Sequence, residues 1–299
     1  MENGESGTGG SQSKEGALYL CATPIGNLED ITLRVLRILR EADLIAAEDT
    51  RRARKLLSHY DIHTPVTSYH QHNRKRKGEY LLKLLAEGRQ IALVTDAGMP
   101  GISDPGADLA AEAINRRIRV IPLPGASAGI TALVISGMPT DAFVFEGFLP
   151  TAKNSRRAKL RSLINEERPI ILYEAPHRLV RVLEDILEIC GDGRISAARE
   201  LTKIHEETIR GTVKEVLEHF RLTEPRGEFC LILKNPARDS VAALTETGAP
   251  LPTPTEYVTQ LEKEGKPRKE AMRATAQIYG LSRREVYRMV AAEKEKLNE

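Results

Sequence analysis

The sequence predicts an α/β protein, two α/β domains followed by a small C-terminal helical module, and three observations carry the prediction. Short apolar runs rich in Leu, Ile, Val and Ala alternate with helix-periodic segments from Ala17 to Lys234, the pattern of strands joined by crossover helices. Several of these runs break directly into loops rich in Gly and Pro, as ligand loops at the carboxyl ends of parallel strands do. Beyond Asn235–Thr255, which holds four prolines among small polar residues, the pattern becomes wholly helical. At 299 residues the chain is long enough for two cored domains. The expected division is a disordered tail over 1–15, a first α/β domain over 16–148, a second over 149–236, a linker over 237–252 and the helical module over 253–299.

In chain order, Ala17–Ala22 reads as the first strand and runs into the turn Thr23-Pro24-Ile25-Gly26-Asn27. Asp30 is placed to cap a helix whose apolar residues Ile31, Val35, Ile38 and Leu39 follow helical spacing. Leu44–Ala47 and Val66–Tyr69 are short strands, the first ending in Glu48-Asp49-Thr50-Arg51-Arg52, the second in His70-Gln71-His72-Asn73 and a basic run, Arg74–Lys77. A helix is expected over 79–86. Ile91–Val94 is a buried strand, followed by a helix near 107–115, a strand over 119–121 and an apolar helix over 130–135. Phe143-Val144-Phe145 leads to Gly147-Phe148-Leu149-Pro150, and the polar, basic stretch 151–161 reads as a hinge. A strand over 170–173 follows. The next helix places Leu179, Val182, Leu183, Ile186, Leu187 and Cys190 on one face. Strands over 196–200, 207–210 and 228–234 and a helix over 213–220 suit a more antiparallel sheet. The last helices are expected near 256–264, 267–279 and 282–294, with Ser282 as an N-cap.

Composition excludes several classes. Apolar content of 41%, charge of 29% and a net charge of +2 describe an ordinary globular chain, so any nucleic-acid surface must be local. Cys21, Cys190 and Cys230 are odd in number and far apart, which points to a reducing cytoplasm rather than a disulfide frame. No apolar run approaches the ~20 residues of a membrane span. No phosphate-binding P-loop, dinucleotide fingerprint or nucleophile elbow is present. His59, His63, His70 and His72 lie close in sequence but lack a thiolate cluster, and no metal is assigned.

The stretch richest in site character is 91–106. Its loop carries Gly98, Gly101 and Gly106, Pro100 and Pro105, and Asp96 and Asp104. Glycines there allow a ligand close to the backbone, and Asp104-Pro105 suits a helix start with Asp104 as N-cap and Pro105 in the first helical position. Glu48 and Asp49 sit at a strand end beside Arg51 and Arg52, an arrangement for an orienting or proton-accepting group. The same residues also suit a plain helix cap with Asp49 paired to an arginine. Between Lys266 and Arg288, seven Lys/Arg against two acids give a local +5 on what resembles a helix-turn-helix unit, suited either to phosphate contacts or to solvent. These residues define a ligand cleft and a basic tail without naming the ligand.

The loops themselves closely resemble those of the ribosomal RNA small subunit methyltransferase I family, within the tetrapyrrole (precorrin) methylase superfamily. The likeness rests on Ala22–Leu28, Ala47–Arg51, Thr95–Gly106, Pro124–Ser127, Glu146–Pro150, Tyr173–Arg178 and Ala198–Lys203, in order, and continues into the C-terminal helices. The segments at 173–178 and 198–203 separate this family from the small-molecule tetrapyrrole enzymes. Met99 stands where the family pattern has Thr, which removes a hydroxyl but leaves the loop's backbone contacts possible.

The resemblance implies two α/β domains with S-adenosylmethionine (SAM) in the cleft between them, a cytoplasmic homodimer, and 2′-O-methylation of a cytidine ribose in 16S rRNA at the decoding centre of the small ribosomal subunit. It places Pro24, Asp96, Ala97, Gly98, Ile102, Ser103, Ala126, Ser127, Leu149 and Tyr173 around SAM. Glu48, Asp49 and Arg51 become the catalytic cluster. Arg74, Lys75, Arg76, Lys77, Arg156, Arg157, Lys266, Arg268, Lys269, Arg283, Arg284 and Arg288 become the RNA-facing cations. The alternatives are a tetrapyrrole methyltransferase of the same fold, which has no need of the basic C-terminal module, and a non-enzymatic RNA-binding protein, which has no need of the cleft loops.

Overall fold

The structure is a computed structural model that describes residues 15–235, 252–279 and 281–296. The expected tail and the expected linker thus fall almost entirely outside the described residues. The chain forms two compact bodies. One comprises residues up to Thr131 together with Glu200–Glu206; the other runs from Ala132 to Arg199 and from Glu207 onward.

The first body is built on five parallel strands: β1 (Ala17–Cys21), β2 (Leu44–Ala47), β3 (Val66–Ser68), β4 (Gln90–Val94) and β5 (Arg119–Leu123), in the order β3-β2-β4-β1-β5. Helices α1 (Leu33–Glu41), α2 (Thr50–His59), α3 (Arg74–Ala86) and α4 (Gly106–Asn115) are the crossovers. Because side chains alternate along a strand, each central strand feeds two cores. Ile45, Ala47, Ala92 and Val94 pack with Val35, Leu39, Ala53 and Leu57. Ala46, Ile91 and Leu93 pack with Leu81, Leu82, Leu85 and Leu109 on the other side.

The second body carries β6 (Val144–Phe148), β7 (Ile170–Glu174), β8 (Arg194–Arg199), β9 (Glu207–Thr212) and β10 (Phe229–Lys234), in the order β6-β7-β10-β8-β9. Only β6 and β7 run parallel; the remaining pairs are antiparallel. The chain enters it through α5 (Ala128–Ser136), and α6 (Lys153–Ser162), α7 (Pro176–Ile189) and α8 (Val213–Leu222) complete it. On α7, Leu179, Val182, Leu183, Ile186 and Cys190 are buried as their spacing predicts, with Leu187 half-buried. The C-terminal helices α9 (Pro254–Lys263), α10 (Arg268–Ile278) and α11 (Arg283–Lys296) share a small core of Val258, Leu261, Ala271, Ala276, Val286 and Val290. Ser282 caps α11 as expected: its hydroxyl accepts from Glu285 N–H while the Glu285 carboxylate accepts from Ser282 N–H, a capping box.

Several local expectations are corrected. The cap of α1 is Thr32, whose Oγ1 accepts from Val35 N–H at 3.2 Å; Asp30 instead closes a 3-10 turn capped by Asn27. Asp104 does not occupy the cap position of α4, which falls to Pro105, although its carboxylate still accepts from Gly106 N–H at 2.7 Å. Helix α3 starts at Arg74, so the basic run is its first turn. The stretch read as a hinge contains α6. Strand β6, assigned above to the first domain, is an edge of the second sheet, paired with β7.

Candidate active site

The carboxyl ends of β1, β4 and β5 carry the first set of candidates. Thr23 and Gly98 exchange two backbone hydrogen bonds, Thr23 N–H to Gly98 O at 2.9 Å and Gly98 N–H to Thr23 O at 3.0 Å. The Thr23 hydroxyl donates to Thr95 O at 3.2 Å. Gly98 holds φ +80°, and a Cβ there would meet Ala126 O at 3.5 Å and Ile25 Cγ2 at 3.6 Å. One glycine therefore brings the loops holding Pro24, Gly98 and Ala126 to a common point. The loop continues through Ser103 at φ +64°, a left-handed position that a non-glycine residue keeps only when its surroundings impose it. Asp104 imposes it: its carboxylate accepts from Gly101 N–H at 2.9 Å and from Gly106 N–H at 2.7 Å, clamping the loop that holds Ile102 and Ser103. Burial pushes the Asp104 carboxyl upward, against the pull of those backbone donors.

The carboxyl ends of β2 and β4 form a polar cluster. Glu48 Oε2 accepts from the Thr95 hydroxyl at 2.6 Å and lies 3.5 Å from Asp96 N–H. Asp96 Oδ1 accepts from Asp49 N–H at 3.1 Å, and its Oδ2 faces Arg52 at 3.3 Å. Asp49 caps α2 by accepting from Arg51 N–H at 2.8 Å and holds the Arg51 guanidinium at 2.9 Å. The two aspartates are thereby driven apart. Hydrogen bonds from Arg51 pull Asp49 down to about 2, while burial and the neighbouring Glu48 push Asp96 upward. At the end of β3 in the same sheet, Asn73 fixes His70 by accepting from its N–H at 2.9 Å, and His70 Nδ1 is buried with no hydrogen-bond partner.

Leu149 and Tyr173 belong to the second body. Tyr173 meets Phe145 and Phe148 edge-on, with centroids 5.3 and 5.6 Å apart. Arg178 donates from Nη2 to Leu149 O at 2.7 Å, and its Nε lies 3.1 Å from the buried carboxylate of Glu174. Burial pushes that carboxyl upward, and Arg178 opposes it. The Tyr173–Arg178 segment thus pins the chain at Leu149.

The predicted RNA-facing cations divide into two groups. Lys75 and Arg76 are exposed on α3, whereas Arg74 is paired with Asp108 and Lys77 donates to Thr67 Oγ1 at 2.9 Å. Lys266, Arg268, Lys269, Arg283, Arg284 and Arg288 are all exposed. Arg156 is corrected: it is 7% exposed and paired to Asp185 at 2.7 Å, so it holds α6 to α7 and does not face solvent. Arg157 is tied to Asp185 and to Glu188.

Three members of these clusters were missed in the sequence. Thr95 was read as part of the central loop, Asp104 as a loop residue and helix cap, and His70 as a strand-end member of a histidine group, none of them as a site residue. A polar residue directly after an apolar strand was the available signal for Thr95. Among the described residues, no group of three or more His, Cys, Asp or Glu is arranged to hold a metal, and no helix is long and apolar enough to cross a membrane.

Comparison with known proteins adds a family. The profile of the Tetrapyrrole (Corrin/Porphyrin) Methylases matches residues 17–217. A relative from Halalkalibacterium halodurans named ribosomal RNA small subunit methyltransferase I is 47% identical over 273 residues, 91% of this chain and 94% of that protein. One of the same name from Thermotoga maritima is 50% identical over 218 residues, 73% of this chain and 98% of that protein. Among solved structures, a diphthine synthase shares the fold at TM-score 0.57 and 13% identity, covering 73% of this chain and 90% of that one. The methyltransferase CobJ does so at TM-score 0.55 and 22% identity, covering 74% and 95%.

Proposed function

The chain belongs to the ribosomal RNA small subunit methyltransferase I family of the tetrapyrrole methylases, and on that premise we propose that it methylates the 2′-oxygen of a cytidine ribose in 16S rRNA, at the decoding centre of the small ribosomal subunit. The methyl donor is SAM, the cofactor of this family. The proposal includes a cytoplasmic homodimer as the working form.

The observation that carries the reading is the meeting of three strand-end loops at Gly98 beside the Glu48–Asp96 carboxylates. The residues present fit SAM: Gly98 at φ +80° and the loop clamped between Gly101 and Gly106 let a ligand approach the backbone closely. The residues proposed to hold it are Pro24, Asp96, Ala97, Gly98, Ile102, Ser103, Ala126, Ser127, Leu149 and Tyr173. When bound, SAM supplies a methyl group on a sulfonium, an electrophile that needs no activation by the protein.

What remains for the chain is to orient the ribose hydroxyl and to take its proton. Asp49 is a poor acceptor, because a carboxylate that titrates near 2 and is bound by Arg51 holds a proton weakly. Its part is to fix α2 and Arg51 at the strand end. The acceptor is in the Glu48–Asp96 pair, where Thr95 orients Glu48 and burial makes Asp96 more basic. Lys75, Arg76 and the C-terminal cations supply phosphate contacts, with the target nucleotide turned out of its stack.

The test is transfer of labelled methyl from SAM to small subunits that lack the modification, followed by alkaline hydrolysis. A 2′-O-methyl group removes the hydroxyl that attacks the adjacent phosphate, so one alkali-resistant dinucleotide is expected. Label in an alkali-labile nucleotide would put the methyl on a base, and no incorporation into subunits or free 16S rRNA would remove the rRNA reading.

A further inference from the structure

A cavity of about 360 Å³ opens in the second body, between the α6–α7 pair and the last two helices. Its walls carry Arg157 and Arg161 from α6, Arg273 from α10 and Arg283 from the first turn of α11, against one carboxylate, Glu188. Glu188 is already engaged by Arg157, which also pairs with Asp185. Arg161, Arg273 and Arg283 have no ion-pair partner within 4 Å among the described residues, and although the charge of Arg273 reaches Glu188, the lining as a whole sets four guanidiniums against one carboxylate. The rest of the lining is different in kind: Ile164, Ile189 and Leu281 give an apolar surface, and Asn165 offers an amide with both donors and an acceptor.

Three unpaired guanidiniums and an apolar wall with one amide are two halves of a single demand. A sulfate or phosphate alone would use the arginines and leave the apolar wall wet. An apolar ligand would leave the arginines without counter-charges. A nucleotide in single-stranded RNA satisfies both, with its phosphodiester against the arginines and its base on the apolar wall and at the amide. The volume lies within the range of small-ligand sites of roughly 300–1,000 Å³. Arginine suits the task through its planar, phosphate-matching donors.

We propose that this cavity holds one splayed nucleotide of single-stranded RNA, gripped by Arg161, Arg273 and Arg283, with Arg157 fixed as part of the wall. The site is composite. Neither α6 nor the C-terminal helices alone provide it, so the helical module grips RNA jointly with the second α/β body. This deepens the rRNA reading and rests on it for the identity of the RNA.

The experiment uses the full chain, a fluorescent single-stranded RNA oligonucleotide and a series of salt concentrations. The variants are R161Q/R273Q, the charge-retaining R161K/R273K, and R194Q/K214Q as a charge-matched control at two exposed positions away from the cavity. Loss of two phosphate contacts on a single strand should weaken binding about 10- to 100-fold and flatten the plot of log K against log salt by about 1.4. The lysine variant should recover most of the salt slope, and SAM affinity and the thermal midpoint should stay at the wild-type values. An effect in R161Q/R273Q no larger than in R194Q/K214Q overturns the proposal. An oligonucleotide with an abasic residue at every position binding as tightly as the intact one also overturns it, because the apolar wall would then have no role. The two readings fail separately. Wild-type protein that binds RNA through these arginines but transfers no methyl to rRNA sinks the activity and leaves the cavity. Wild-type protein that methylates rRNA, with R161Q/R273Q unchanged in RNA KM, sinks the cavity and leaves the activity.

Discussion

Two aspartates 47 residues apart in sequence meet at the carboxyl ends of neighbouring strands and are pushed in opposite directions, and that divergence separates their proposed roles. Asp49 is held near 2 by Arg51. Its contribution to stability is full above the ordinary aspartate value of ~4 and is lost only as the pH falls through about 2, outside any working range. Asp96 is raised, so it gains its charge at a higher pH than an ordinary aspartate. The methyl-transfer rate should therefore show an acid limb belonging to Asp96. In single-turnover assays, Glu48→Gln is expected to slow transfer by about 10²-fold or more and to move the residual limb to lower pH, since removing the Glu48 charge lets Asp96 ionise more readily. Asp49→Ala should leave the limb where it is; a limb that moves with Asp49→Ala would return Asp49 to the acceptor role. Arg156 makes a second case at this scale. Sequence marked it as a surface cation, yet its charge is buried against Asp185, a partner 29 residues away that no local pattern reveals. Arg156→Ala should cost about 3 kcal/mol in chemical denaturation by leaving Asp185 short of a buried partner. A variant as stable as wild type, with weaker RNA binding, would restore Arg156 to the RNA-facing set.

Among the elements, the strands were the most legible, because fully buried parallel strands declare themselves as short apolar runs between turns. Helix boundaries were less so, and the reason lies in particular caps. Both Asp30 and Thr32 precede the apolar face of α1, and either type caps a helix; only the chain path through the 3-10 turn at 28–30 selects Thr32. Thr32→Ala is accordingly expected to cost about 1 kcal/mol in urea unfolding and Asp30→Ala little, with the reverse order contradicting the assignment. Helix α6 was hidden for another reason. Of its ten residues only Leu160 and Arg156 are buried, so half of its buried face is an arginine and no apolar periodicity could show it.

On the scale of the whole chain, the loop proposed to face the cofactor was legible as a structured strand-end loop because Gly, Pro and Asp there are local signals. The RNA-facing part was not, since whether an arginine is free depends on carboxylates distant in sequence. The C-terminal helices extend the same argument. They bring their own core, Val258, Leu261, Ala271, Ala276, Val286 and Val290, while Lys266, Arg268, Lys269, Arg283, Arg284 and Arg288 are exposed, and none of the candidate SAM residues or the Glu48–Asp96 pair lies within them. Deleting residues 253–299 should therefore separate the two binding events. RNA KM is expected to rise at least 10-fold, in line with the loss of several phosphate contacts, and the salt dependence should weaken in parallel. SAM affinity, read by calorimetry or by a SAM-induced rise in thermal midpoint, should persist. Equal loss of both would mean that the module supports the fold of the catalytic part. An unchanged RNA KM would confine recognition to the α/β bodies and leave the +5 face between Lys266 and Arg288 as a solvated surface.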